Sequence, residues 1–125
     1  MKSLILIGNG GHCRSCIEII ETTEKFIIKG IVVHTSDSTD FFMDYKVLGN
    51  DNDLKKCFNE KDLALICVGQ IESPEKRINL FNRLKKNKIS IATVISKFSI
   101  VSKNTNIGSG SVIMHNVVVN SGAKI

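Results

Sequence analysis

The residues best placed to do chemistry are Gly8-Asn9-Gly10-Gly11-His12, which follow the short aliphatic run Lys2–Ile7. Glycines where a strand becomes a helix let the backbone turn tightly and bring its N–H groups close to a phosphate at the positive helix end. A second loop, Gly69-Gln70, ends the apolar run Asp62–Val68. In an open α/β sheet, ligands sit beyond the carboxyl ends of the strands, where the strand order reverses. If these two strands are neighbours there, Gly8, Gly10, Gly11 and His12 face Gly69 and Gln70 across one crevice suited to a nucleotide-like phosphate ligand. These six are the candidate binding residues. NAD fits poorly: Cys13 stands where G-x-G-x-x-G wants its third glycine, and an acid should close the second strand. His34 and Thr35 follow Val33 instead, with Asp37 arriving late.

Other reactive side chains read as structural. Cys13 and Cys16 form a C-x-x-C, the spacing of a redox pair. On a helix, however, Cys13, Cys16, Ile17 and Ile20 make one apolar stripe, which turns the thiols inward. Zinc shared with His12 lacks a second ligand pair of suitable spacing. Cys57 and Cys67 sit in apolar company, as buried free thiols do. His34 lies in a polar loop, and His115 follows an inward position of the repeat described below. A histidine base needs an orienting partner, and the last acid in the chain is Glu75. No catalytic residue and no metal ligand is assigned.

The elements that must position the glycine loops follow from pattern. Lys2–Ile7 and Phe26–Val33 read as buried strands around an amphipathic helix over Gly11–Thr22, a βαβ unit. His34–Tyr45 reads as loop, Lys46–Leu48 as a short edge strand and Asn50–Phe58 as a short helix capped by Asn50 or Asp51. After the Asp62–Val68 strand, Ser73-Pro74-Glu75 opens a helix whose apolar face is Ile78, Phe81 and Leu84. Ile89–Val94 reads as a further strand. This alternation predicts an α/β, Rossmann-like domain with a mostly parallel sheet over residues 1–93.

From residue 94 the rhythm changes. Ile95, Val101, Ile107, Ile113, Val119 and Ile125 recur at every sixth position, separated by Asn, Gly and Ser. Such hexads predict a parallel β-helix over residues 94–125, with aliphatic residues inward and Gly or Asn at the corners. Three hexads per coil would stack Ile95 under Ile113, Val101 under Val119 and Ile107 under Ile125. The pattern stops in mid-coil, so the sequence reads as a truncated repeat.

Composition narrows the classes of function. The chain has 125 residues, 42% hydrophobic and 23% charged, the balance of a globular domain. No apolar run approaches the roughly 20 residues of a membrane span, and the first one passes straight into the glycine loop rather than a signal-peptide cleavage site. The expected location is cytoplasmic, with no membrane partner. A net charge of +5 comes mostly from lysine, there is one Tyr and there is no Trp. Base readout and phosphate clamps favour arginine, and Arg83-Leu84-Lys85-Lys86 falls at a helix end where cations complement the dipole. Nucleic acid is therefore not the expected partner.

Taken together, Leu6-Ile7-Gly8-Asn9-Gly10-Gly11-His12, the Val68-Gly69-Gln70 turn leading into Glu75-Lys76-Arg77, and Ile107-Gly108-Ser109-Gly110-Ser111-Val112-Ile113-Met114 resemble the NeuD/PglD family. These are bacterial sugar O- and N-acetyltransferases of sialic acid, bacillosamine and related surface-glycan pathways. The resemblance implies a nucleotide-sugar-binding N-terminal domain and a left-handed β-helix that forms a homotrimer and takes acetyl-CoA as co-substrate between subunits, with no metal. It implies that Gly8, Gly10, Gly11 and His12 cradle the sugar-nucleotide phosphates beside Gly69 and Gln70. The family's catalytic histidine lies beyond Ile125, and His115 matches a non-catalytic position. The reading is thus the acceptor-binding part of a sugar acetyltransferase, inactive as 125 residues alone. The alternatives are a non-enzymatic nucleotide-sugar-binding or assembly module, a decayed gene product, and a small NAD-dependent Rossmann protein.

Overall fold

The computed structural model describes residues 1–35, 37–68 and 74–125. Strand β1 (Lys2–Ile7) leads through the glycine turn into helix α1 (Gly11–Thr23), and β2 (Phe26–Val33) returns parallel to β1. A two-residue strand, β3 (Phe41–Phe42), turns back antiparallel onto β4 (Tyr45–Asn50), which pairs parallel with β2. The expected edge strand is therefore one place further in, because the aromatic pair in the predicted loop covers its outer side. Asn50 accepts a hydrogen bond from the Asn52 N–H at 3.0 Å and starts a single 3₁₀ turn that runs into α2 (Leu54–Cys57).

Strand β5 (Leu63–Ile66) pairs with β1 on its other side, and α3 (Glu75–Lys86) carries the chain to β6 (Ser90–Ile91) beside β5. The resulting order, β3-β4-β2-β1-β5-β6, is a parallel sheet with one antiparallel edge. Pro74 is the cap residue of α3 rather than its first helical residue, and Ser73, the expected cap, lies outside the described residues. Alternation along β1 sends its side chains to opposite faces. Leu4 and Leu6 pack with Cys13, Cys16, Ile17 and Ile20 of α1, whereas Ile5 and Ile7 pack with Leu54, Leu80 and Leu84 of α2 and α3. The inner face of α3 is thus Leu80 and Leu84, and Ile78 is exposed. Burial on both faces is why these strands read as continuous aliphatic runs.

The remaining segment pairs only with itself at a fixed interval. Strand β7 (Val94–Ile95) pairs parallel with β9 (Val112–Ile113), β8 (Ile100–Val101) with β10 (Val118–Val119), and Asn106 bridges Lys124. Every partner is eighteen residues away. Gly110, Asn116 and Gly122, six residues apart, hold φ of +86°, +61° and +88°, the left-handed corners that these residue types adopt at low cost. In β10, Val119 is 6% exposed and its neighbour Val118 58%; Ile113 of β9 is 5% exposed, and Ile100 of β8, paired with Val118, is 68% exposed. Not every hexad position is covered, since Ile95 and Ile125 are exposed. Val94 joins the α1 face of the sheet core and anchors the segment.

Gly30 is the tightest point of the sheet. It follows a register shift in the β1–β2 pair, and a Cβ there would lie 2.5 Å from Leu48 Cγ and 2.8 Å from the Lys46 carbonyl oxygen. Overpacking of this kind costs about 1–3 kcal/mol. Gly30→Ala is expected to lower the unfolding free energy by that amount, read as a lower urea midpoint at unchanged m-value; an unchanged midpoint would show that β4 yields freely.

Candidate functional site

The sheet order places the switch point between β1 and β5. From β1 the chain crosses toward β2 and β4, and from β5 it crosses toward β6. The two connections diverge, and a cleft of about 470 Å³ opens between the strand ends. Gly8, Gly10, Gly11 and His12 all line it, as the sequence predicts, with Val68 and Lys76 across from them. Gly69 and Gln70 lie outside the described residues.

The glycines have different reasons for being there. Gly8 holds φ +122°, and a Cβ on it would come within 3.0 Å of the Cys67 carbonyl carbon and oxygen. Its N–H donates to the Val32 carbonyl at 2.8 Å, which fixes the turn to β2. Gly10 caps α1 in an extended conformation, with no side-chain cap and no acid in the first turn. Among the described residues, nothing lies within 4 Å of a Cβ built on Gly10 or on Gly11. Neither packing nor backbone angle requires glycine at these two positions. What the missing side chains leave is open space over the first amides of a helix, where the dipole favours an anion.

His12 stands at the end of the turn, its Nε2 3.7 Å from Cys16 Sγ. Burial and then the Arg77 charge hold the imidazole below its ordinary pKa, so the neutral ring is favoured. Arg77 donates from Nη1 to the Val68 carbonyl at 2.8 Å and more weakly to Ile66 at 3.4 Å, satisfying carbonyls that β5 leaves unpaired. Its charge therefore sits beside His12 in a fixed place. His12 and Val68 also wall a second hollow of about 620 Å³, which extends past Arg77 and Phe81 to Ser109, Gly110 and Ser111. His12 and Val68 thus line both hollows.

Two contacts at the site escaped the sequence reading. Asn9 donates from Nδ2 to Asp37 Oδ2 at 2.6 Å. Asp37 also accepts from the Thr39 N–H at 2.8 Å and from the Thr39 hydroxyl. Thr39 first and Asn9 next hold the Asp37 carboxyl below the usual carboxylate range. The available signal was an Asn between glycines together with an acid soon after β2. His34, expected in solvent, is exposed but also lines the cleft mouth.

Cys13, Cys16 and Cys67 are buried, free and part of one core, so the C-x-x-C packs as a helix stripe. His115 bonds through Nδ1 to the buried Ser96 hydroxyl and meets Phe98 edge-on at 5.5 Å, a structural link between the paired segments that follow β6. Among the described residues, no group of three or more His, Cys, Asp or Glu could hold a metal ion, and no helix is long and apolar enough to cross a membrane.

Comparison with known proteins places this geometry in a group. The fold is similar to perosamine N-acetyltransferase from Caulobacter crescentus, solved as the H141N mutant with CoA and GDP-perosamine: TM-score 0.86, 22% identity, covering 100% of this chain and 57% of that one. It is also similar to the acetyltransferase domain of PglB from Neisseria gonorrhoeae FA1090, solved with acetyl coenzyme A: TM-score 0.81, 23% identity, 98% of this chain and 58% of that one. The chain thus spans less than two thirds of these structures. No curated protein matches the sequence. Residues 3–84 match the PglD N-terminal domain. That match takes in well over half of the chain, with the glycine turn, the switch-point cleft and most of α3 inside it, and the chain belongs to the PglD N-terminal domain family.

Proposed function

We propose that the switch-point cleft binds a nucleotide-activated sugar through its diphosphate. On this reading the chain is the acceptor-binding part of an acetyl-CoA-dependent acetyltransferase acting on a nucleotide-activated or sialic-acid-type sugar in bacterial surface-glycan biosynthesis. The observation that carries the reading is the pair Gly10 and Gly11. Two side chains are missing where none of the described residues excludes them, over a helix start lacking a side-chain cap. The family supports it, and so does the GDP-perosamine held by a protein of the same fold.

The residues divide the work by chemistry. The first amides of α1 donate to phosphate oxygens, and Lys76 adds a cation from the facing wall. Neutral His12 lines both hollows, so a sugar leaving the diphosphate passes the ring into the hollow that Ser109 and Ser111 line. Arg77, tied to β5 carbonyls, acts through its charge rather than by grasping the ligand. Acetyl-CoA supplies the acyl group as a second substrate.

Residues 1–93 form the Rossmann-like nucleotide-sugar domain, and residues 94–125 the first coils of a left-handed parallel β-helix. The eighteen-residue register and the left-handed corners support the latter. Ile100 and Val118, stacked and exposed, are the contact through which copies associate as a homotrimer.

Three measurements test this reading. Gly10→Val should fold normally, since its Cβ meets none of the described residues, yet lose roughly tenfold or more in calorimetric affinity for a UDP- or GDP-sugar, because the branched chain fills the approach to the amides. Equal affinity would move the site elsewhere. In the free chain His12 should titrate by NMR below the ordinary histidine value of 6.5. Unfolding restores that value, so the unfolded chain binds more protons in this window and acidification through it weakens the fold. A bound diphosphate beside the ring should raise the midpoint; no movement would exclude phosphate there. Ile100→Glu should shift sedimentation toward monomer, and a wild-type chain that sediments as monomer would remove the trimer.

A further inference from the structure

One contact at the cleft belongs to neither wall. Asn9 and His34 both line the hollow, but Asp37, which Asn9 grips at 2.6 Å, does not. The Asp37 N–H donates to the His34 carbonyl at 2.9 Å and ties Asp37 back to the end of β2. The loop that carries His34 is thereby fastened to the glycine turn across 28 residues of sequence. Three donors (Thr39 N–H, Thr39 hydroxyl and Asn9 amide) already occupy the two Asp37 oxygens. An acid after the second strand of such a fold ordinarily accepts from a ribose hydroxyl. This one does not line the cleft, and its oxygens are engaged by the loop and the glycine turn.

We propose that Asn9 and Asp37 form a clasp that holds the His34 loop at the mouth of the cleft, so that both are positioning residues for the nucleotide and neither reads it. The inference rests on the cleft being a nucleotide site, but the clasp has its own signature. Asn9 is suited to the task because its amide presents N–H donors outward while the main chain on either side follows the glycine turn. The Asp37 carboxylate is suited because it can accept from the loop and from the turn at once. Breaking either end frees the same segment, so the two losses are one loss.

The experiment is a double-mutant cycle of Asn9→Ala and Asp37→Ala with two readouts. The first is amide hydrogen exchange over residues 34–40 in the free protein. Each single variant should raise exchange in this segment, and the double variant should add little further. The swapped pair, Asn9→Asp combined with Asp37→Asn, should recover protection. The amide then placed at position 37 keeps an oxygen for Thr39 and turns its N–H toward the carboxylate placed at position 9. The second readout is calorimetric affinity for UDP and GDP and for their 2′-deoxy forms. Each single variant should weaken binding by about three- to tenfold, the scale of one ordinary hydrogen bond. The double variant should be no weaker, and the ribo-to-deoxy ratio should not move.

Additive losses in both readouts, or exchange unchanged by either variant, would overturn the clasp. A ribo-to-deoxy ratio that collapses in Asp37→Ala alone would overturn it in favour of direct ribose contact. If the wild-type chain binds no nucleoside diphosphate, the reading of the cleft fails and the positioning role with it. The exchange cycle then still decides separately whether the loop is fastened this way.

Discussion

The end of β1 runs so close to the end of β5 that position 8 has no room for a side chain. A Cβ there would touch the Cys67 carbonyl at 3.0 Å, and the backbone holds a φ that side chains disfavour. That proximity is set by the β1–β5 ladder, whose register carries Ile7 opposite Ile66 and continues into the Cys67 N–H bond to the Ile7 carbonyl at 2.8 Å. Because the strands stay paired to their last residues, the connections can separate only above them. The cleft is the space they leave. Gly8 makes the sharp exit possible, α1 begins three residues later, and its amides aim into the gap. The position of His12, the reach of Arg77 and the wall that the two hollows share all follow from this one close approach.

Much of this was legible in the residues. The strand, glycine turn, helix and strand over residues 2–33 match the structure nearly to the residue, since burial on both faces leaves aliphatic runs with no competing period. The neighbouring of β1 and β5 followed from topology rules and holds. Short pieces were harder. β3 lies in the segment that local composition reads as loop and pairs as a hairpin with β4, which contains the expected Lys46–Leu48 edge strand; Met43 and Asp44 turn it in the left-handed region without glycine. The face of α3 was misjudged at Ile78, because a helix beside a hollow exposes an apolar residue that periodicity assigns to the core.

At the site, sequence located the glycines but not their partners. Asn9–Asp37 joins residues far apart along the chain, and Arg77 reaches carbonyls on a different element. Neither contact leaves a local pattern, since each depends on how two connections fold over one sheet. The cysteines show the converse. A motif with a chemical reading dissolved into packing once α1 was placed, because helical spacing and burial explain Cys13 and Cys16 together. Residue type proposes a chemistry, and exposure decides whether the atoms can perform it.

The constant eighteen-residue interval between paired segments bears on which changes of length this molecule can absorb. In β10, Val118 is turned out and Val119 in, so deleting one residue ahead of them exchanges the two and puts the wrong face against the interior. Insertion of a complete eighteen-residue interval leaves every paired residue opposite an equivalent one. Length changes in this part of the gene therefore preserve the pairing as additions of that whole interval, and point slippage does not.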